Sequence, residues 1–303
     1  MLRNRTAALF VYCALAWGGS FVAIKVGLGA VPGAPVFFAA LRLLTASVVI
    51  LPVAAVLAGT GDRWIPRSRG DLAVVAFGAL FITGGANALL FAGQQSVTSS
   101  VASVLFSLNP VIATALAAVV IPEDGLSWNQ VAGVLLGILG VAVVAQPSPS
   151  TLGGAHVVGE LLVFASALFV AIGSVASQRY PAKIDTVAST AWSLCLGGVL
   201  LLPTAWLLGE PFTLASATPT FYAALAYLGV VATAGAYAAY FTLIAEIGAT
   251  RTTLVSYFVP LVTATLSVAF LGEPVTLALV GGFALIVCGF LLVNRRAIAR
   301  MVA

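Results

Sequence analysis

Apolar residues in this chain come in long unbroken blocks rather than in stripes. Ten blocks can be drawn, over residues 7–28, 34–58, 70–93, 98–121, 127–146, 156–178, 185–208, 218–243, 249–271 and 275–294. A helix needs about 20 apolar residues to cross the roughly 30 Å hydrocarbon core of a bilayer. Each block therefore predicts one membrane-spanning helix, and the chain predicts an all-α membrane protein of ten transmembrane helices. The connections are short, the longest lying near 59–69 and 209–217. No linker, low-complexity tract or soluble domain is left over.

Polar and punctuating residues inside the blocks recur. Ser103 to Pro110 leads into an apolar helix closed by Glu123, and Thr253 to Pro260 leads into one closed by Glu273. At this offset of 150, Thr83, Gly85, Ala86, Ala88, Phe91, Pro110, Leu116 and Glu123 each meet an identical residue, from Thr233 to Glu273. After one inserted residue the match continues at an offset of 149, pairing Gly133 with Gly282 and Gly140 with Gly289. The expected organisation is a duplication, 1–150 and 151–303. Five helices per half is an odd number, so the halves enter the membrane in opposite directions as an inverted repeat, an architecture found in many secondary transporters.

Composition sharpens this picture. The 303 residues are 61% hydrophobic and 7% charged, against roughly 25% charged in a soluble domain. The net charge of +4 does not point to nucleic acid, because the basic residues are scattered. They report orientation instead. With the amino terminus in the cytoplasm, Arg3, Arg5, Arg63, Arg67, Arg69, Arg179, Lys183, Arg251, Arg295, Arg296 and Arg300 all fall on the inner side. The expectation is an inner-membrane, multi-pass protein with both termini cytoplasmic. Arg3 and Arg5 before an apolar run imitate a signal peptide, but the run continues to Leu28, and Gly19, Ser20 and Lys25 have counterparts in Gly173, Ser174 and Arg179. The segment reads as a retained first helix. Cys13, Cys195 and Cys288 lie in apolar blocks without metal-ligand spacing, and no metal site is expected.

Catalytic constellations are missing from the sequence. His156 is the single histidine, the Gly-Asp pairs at 61–62 and 70–71 lie in or beside a loop, and no Walker-type phosphate loop occurs. No enzyme activity and no cofactor are expected. The polar residues at depth carry more information. Thr83, Asn87 and Phe91 share one helical stripe, as do Thr233, Tyr237 and Phe241. Asn87 and Tyr237 are repeat partners near mid-membrane, where an unpaired polar group is costly. They serve either as interhelical glue or as cavity lining. Pro110 and Pro260 predict kinks, each removing an amide donor halfway along its helix, with Phe106, Asn109, Ser256 and Tyr257 beside them. Trp17 and Ser20 on the first helix and Ser174 on the sixth complete the expected walls. In this reading Asn87, Asn109 and Tyr237 bond the polar part of a substrate, and Trp17, Phe106 and Tyr257 pack on its apolar part. Arg42 either anchors a loop or attracts an anionic group, while Lys25 reads as a snorkelling side chain. Glu123, Glu160, Glu246 and Glu273 sit at helix ends, which argues against a mid-membrane carboxylate relay. Trp128 and Trp206 suit the interfacial belts.

Trp17-Gly18 with Lys25, Leu41-Arg42-Leu43, Asn109-Pro110, Val259-Pro260 and Leu271-Gly272-Glu273, in this order, resemble the EamA-type branch of the drug/metabolite transporter superfamily. The resemblance covers essentially the whole chain. It implies a ten-helix secondary transporter, in many relatives an exporter of amino acids or other metabolites, with a central cavity formed by helices 1, 3, 4, 6, 8 and 9. Val170-Ala171-Ile172 stands where relatives often carry a Trp or Phe-Trp pattern, which leaves an aromatic amino-acid substrate unsupported. The functional expectation is outward transport of a small polar or amphipathic, amino-acid-like metabolite by alternating access. The alternatives are an importer or exchanger of sugars, nucleobases or phosphorylated metabolites, and a non-transporting membrane scaffold. The expected partners are a small-molecule substrate and the lipid bilayer, with no nucleic acid and with homodimerisation left open.

Overall fold

The computed structural model describes residues 2–57, 62–120, 128–146, 154–211, 214 and 217–295. Among the described residues all regular structure is helical. In chain order the helices are α1 (Leu2–Ala30), α2 (Pro35–Leu57), α3 (Arg69–Phe77), α4 (Ala86–Gln94), α5 (Ser99–Phe106), α6 (Asn109–Val120), α7 (Trp128–Ala145), α8 (Ala155–Ser177), α9 (Thr186–Leu207), α10 (Pro219–Ala226), α11 (Ala236–Ile247), α12 (Ala249–Thr252), α13 (Val255–Leu271) and α14 (Leu277–Val293). Gly78–Gly85 joins α3 to α4, and Tyr227–Gly235 joins α10 to α11, each as π-helix without a break in the run. In each of the ten predicted apolar blocks the described residues are mainly helical. Eight described runs are long and apolar enough to cross a membrane, and Val255–Leu271 and Leu277–Val293 are shorter apolar helices.

The helix ends are set by polar residues between the apolar blocks. Thr98, Thr218 and Thr276 cap α5, α10 and α14 by accepting an amide proton three residues on, and Asp185 caps α9. Ser68 and Asp71 form a reciprocal capping box at α3. The other Asp71 oxygen accepts from Lys183 N at 2.7 Å and Ile184 N at 3.0 Å, tying that end to the approach to α9. Gly272 takes a left-handed conformation, φ 65°, that closes α13. The turn aims Glu273 at α5, where its oxygens accept from Ser99 N at 3.0 and 2.9 Å. Glu273 is thus a partner of backbone amides on a helix far away in sequence. Glu123 lies outside the described residues.

Helix neighbours come in matched sets. α1 packs on α11 and α13, while α8 packs on α4 and α6; α2 packs on the Tyr227–Gly235 π segment, while α9 packs on the Gly78–Gly85 π segment. α7 and α14 pack on each other through small residues. A methyl group built on Gly133 would stand 2.5 Å from the Gly289 carbonyl oxygen, and one on Gly140 would stand 2.6 Å from that of Gly282. Only hydrogen at Cα permits this approach. The outward surface is apolar: Val48, Val56, Leu161, Leu207, Phe270 and Leu277 are all exposed, as are Trp128 and Trp206. So large an apolar exterior suits lipid, not water. The protein is a multi-pass membrane protein.

Candidate functional site

Three local features open the middle of the bundle. The first is the pair of π segments. In a π turn the backbone bonds run one residue further than in an α-helix, and the freed positions turn side chains off the ordinary stripe. Thr83 and Thr233 fill the widened turns with their hydroxyls, donating to Gly78 O at 3.2 Å and Leu228 O at 2.7 Å. Thr83 also donates to Ser193 O of α9 at 2.7 Å, so it is helix glue. Asn87, one turn later, faces a cavity.

The second feature is the interruption between α5 and α6. The helix stops at Phe106 and restarts at Asn109, with Pro110 in the first turn of the new segment. Proline has no amide proton for the carbonyl four residues back, and at a helix start none is required. In the other half the interruption falls at Thr253–Leu254, between α12 and α13, and Pro260 lies inside α13. Each interruption presents polar side chains to the bundle centre.

The third feature is Arg42. It projects from α2 and is 9% exposed. Its Nε donates to Thr233 Oγ1 at 3.1 Å and its Nη1 to Asn87 Oδ1 at 3.1 Å. Its Cζ stands 5.7 Å from the Phe91 ring centroid, within cation–π range. Asn87 completes its amide by donating Nδ2 to Thr83 O at 2.7 Å.

Together these elements enclose a cavity of about 550 Å³ whose walls come from α1, α2, α4, α5, α6, α8, α11, α13 and α14. Trp17, Ser20, Asn87, Phe106, Asn109, Ser174, Tyr237 and Ser256 all line it, as does Pro110. Tyr257 does not. Its ring lies 4.4 Å from that of Phe290 and its hydroxyl is buried without a hydrogen-bond partner. Trp17 forms an aromatic corner with Tyr240 and Tyr237, at centroid distances of 5.0 and 6.1 Å. Phe21 and Phe106 form another at 6.1 Å. Several wall hydroxyls are committed to the backbone: Ser20 donates to Trp17 O at 2.6 Å, Ser103 to Ser100 O at 2.9 Å, Ser107 to Val104 O at 2.7 Å, Thr114 to Pro110 O at 2.8 Å and Ser166 to Ala86 O at 2.7 Å. Arg42, Tyr240, Thr253 and Asn294 are wall residues that sequence reasoning left out of the site. For Arg42 the signal was present, since an ionisable residue inside a membrane helix is a functional candidate by default. A second hollow of about 330 Å³, beside α6, α7 and α8, is lined wholly by apolar side chains such as Leu108, Ile138 and Phe164. It offers no polar group to orient a ligand.

The other charged residues described lie away from the cavity walls. Lys25 Nζ donates to the carbonyls of Gln94 and Val97 at 2.9 and 2.8 Å, so it fastens the end of α4 instead of snorkelling. Glu160 is buried, with its Oε1 3.3 Å from His156 Nε2. Glu246 accepts from Thr6 Oγ1 at 2.7 Å and pairs with Arg5 at 3.5 Å. Trp192 donates to Trp64 O at 2.8 Å and stacks on the Trp64 ring. No group of His, Cys, Asp and Glu side chains among the described residues is arranged to hold a metal.

A family model, that of the EamA-like transporter family, matches residues 4–146 and again 157–295. The chain belongs to the EamA-like transporter family. Full-length relatives agree with this membership. A Streptantibioticus cattleyicolor protein named "Probable terminal-alkyne amino-acid exporter" is 31% identical over 99% of this chain and 97% of its own length. "Uncharacterized transporter YvbV" of Bacillus subtilis is 27% identical over 99% and 95%. A Salmonella typhimurium protein named "Probable amino-acid metabolite efflux pump" is 28% identical over 95% and 94%. A protein of known crystal structure, 23% identical, superposes with a TM-score of 0.62 over 97% of this chain and 99% of its own, so the EamA-like chain shares its fold. Membership makes this chain a membrane transporter of the drug/metabolite transporter superfamily.

Proposed function

We propose that the protein is a secondary transporter that moves a small polar or amphipathic, amino-acid-like metabolite outward across the inner membrane by alternating access. One observation carries this reading. A cavity of about 550 Å³ has both Asn87 and Tyr237 among its lining residues, and these two are partners in the repeat read from the sequence. A scaffold has no use for polar side chains gathered around a shared hollow. Inverted repeats place binding sites near the midplane at their interface, and the volume falls in the usual range for small-molecule sites.

In this reading the chain is two inverted five-helix repeats, 1–150 and 151–303, with ten transmembrane helices and both termini cytoplasmic. The paired π segments, the matched helix neighbours and the double match of the family model support the division. The relatives' names support an amino-acid-like cargo and the outward direction. Asn109 and Tyr237 bond the polar part of the substrate, Asn87 acts beside Arg42, and Trp17 and Phe106 pack on the apolar part. Ser20, Ser174 and Ser256 complete the polar wall. Tyr257 acts one layer out, by holding Phe290 at the cavity edge. Rocking one half against the other then exposes the same walls to each side in turn.

The test has two stages. Overexpression should raise resistance to toxic amino-acid analogues, and the purified protein in proteoliposomes should exchange whichever compound the screen returns. If no such compound exchanges faster than in protein-free vesicles, the transport reading is wrong.

A further inference from the structure

Within the cavity, charge is distributed unevenly. Arg42 is the one charged residue among its described wall residues, and no Asp or Glu lines it. The guanidinium makes no ion pair with any described carboxylate. Its bonds to Thr233 and Asn87 occupy two of five N–H donors. The other three have no acceptor among the described residues, although the side chain is nine-tenths buried.

An arginine held this way is a poor structural device. Uncharged donors could bond Thr233 Oγ1 and Asn87 Oδ1 equally well, without the cost of bringing a full charge into the membrane interior. The charge itself finds use only when an anion arrives. The planar fork of a guanidinium matches a carboxylate bidentately, and here Thr233 and Asn87 hold the fork still.

We infer that Arg42 is the anion anchor of the cavity and that the transported molecule is a small monocarboxylate, bound through its carboxylate to the free edge of the guanidinium. The inference rests on the transport reading of the same cavity. The acid's carbon chain lies along Trp17 and Phe106, and a second carboxylate would find no partner. An ammonium group, where the substrate has one, meets hydroxyls and carbonyls instead of a counter-charge.

The test uses probes that differ only in the acid group: 4-methylpentanoate against 4-methylpentanamide, and leucine against leucinamide. The readout is the rate at which Ser174→Cys, in full-length protein with Cys13, Cys195 and Cys288 replaced by Ala, reacts with a water-soluble maleimide. In otherwise wild-type protein each acid should protect at a concentration roughly ten- to hundredfold below that of its amide. Arg42→Gln should erase the preference. Should that variant fail to fold, Asn87→Asp keeps the arginine and supplies a competing carboxylate within hydrogen-bond reach, so it should erase the preference in a folded protein. Equal protection by acid and amide, no protection by either acid, or a preference that survives Asn87→Asp would each overturn the inference and leave the cavity standing. A cysteine at this position that never reacts removes the cavity reading itself, and this inference with it.

Discussion

Arg42 Nη1 and Asn87 Oδ1 meet at 3.1 Å, so a charge on α2 is held in place by an amide at the start of α4. Because the other end of that amide donates to Thr83 O, Asn87 cannot turn away without breaking two bonds. Asn87→Ala should therefore loosen Arg42 as well as remove a polar wall. Losing a hydrogen bond costs about 0.5–1.5 kcal/mol, so substrate binding should weaken up to roughly tenfold. Tyr237→Phe should have an effect of similar size. Equilibrium binding to purified, monodisperse protein checks both. Unchanged affinity in either variant removes that residue from the site.

The α7–α14 contact should be intolerant of any added side chain. Gly140→Val drives a branched group into the Gly282 carbonyl and Ile286, and overpacking of this kind costs about 1–3 kcal/mol. Thermal unfolding in detergent should shift to lower temperature. Gly281, whose added Cβ would touch nothing within 4 Å, is the control: Gly281→Ala should not lower the transition, since alanine favours the helix interior over glycine.

Carboxylates should affect folding more than binding. Asp71 accepts backbone protons from the approaches to both α3 and α9, so Asp71→Asn should destabilise by about 1–3 kcal/mol, since hydrogen bonds to a charged group are the stronger ones. Glu160→Gln should leave substrate exchange largely intact, because Glu160 is not among the cavity walls. Exchange lost in correctly folded Glu160→Gln protein would mean that a carboxylate outside the cavity drives transport.

Topology is checked by reporter fusions. Reporters placed after residues 65 and 183 should be active on the cytoplasmic side, and those after residues 96 and 213 on the outer side. A fusion after residue 303 that reads as external would contradict the orientation drawn from the basic residues.

Much of the helical fold was legible because a bilayer leaves no choice: backbone groups in hydrocarbon must bond within their own segment, so long apolar blocks become helices. The cavity was legible where polarity interrupts those blocks, at Asn87, Asn109, Ser174, Tyr237 and Ser256. Facing was harder to read. Successive residues point about 100° apart around a helix, and in a helix apolar all round nothing in the pattern says that Ser256 faces the cavity while Tyr257 faces Phe290. The π segments left no mark in hydrophobicity, so the stripe Thr83–Asn87–Phe91 looked continuous. In the fold Thr83 binds α9, Asn87 lines the cavity and Phe91 packs against Phe38 and beneath Arg42. In the sequence Lys25 reads as a snorkelling side chain and Arg42 as a loop anchor or an attractor of anions; the structure overturns the first reading, since Lys25 bonds the Gln94 and Val97 carbonyls. Only the fold separates a clamp on the end of α4 from a charge facing the cavity.

The central claim is that Asn87 and Tyr237 line one water-filled cavity that holds the substrate. Labelling of Asn87→Cys and Tyr237→Cys by a membrane-impermeant thiol reagent, in protein otherwise free of cysteine, tests it most directly. Both positions should react, and the substrate returned by the resistance screen should slow the reaction at each. If neither position reacts in any state, these side chains are helix glue and the site is not there.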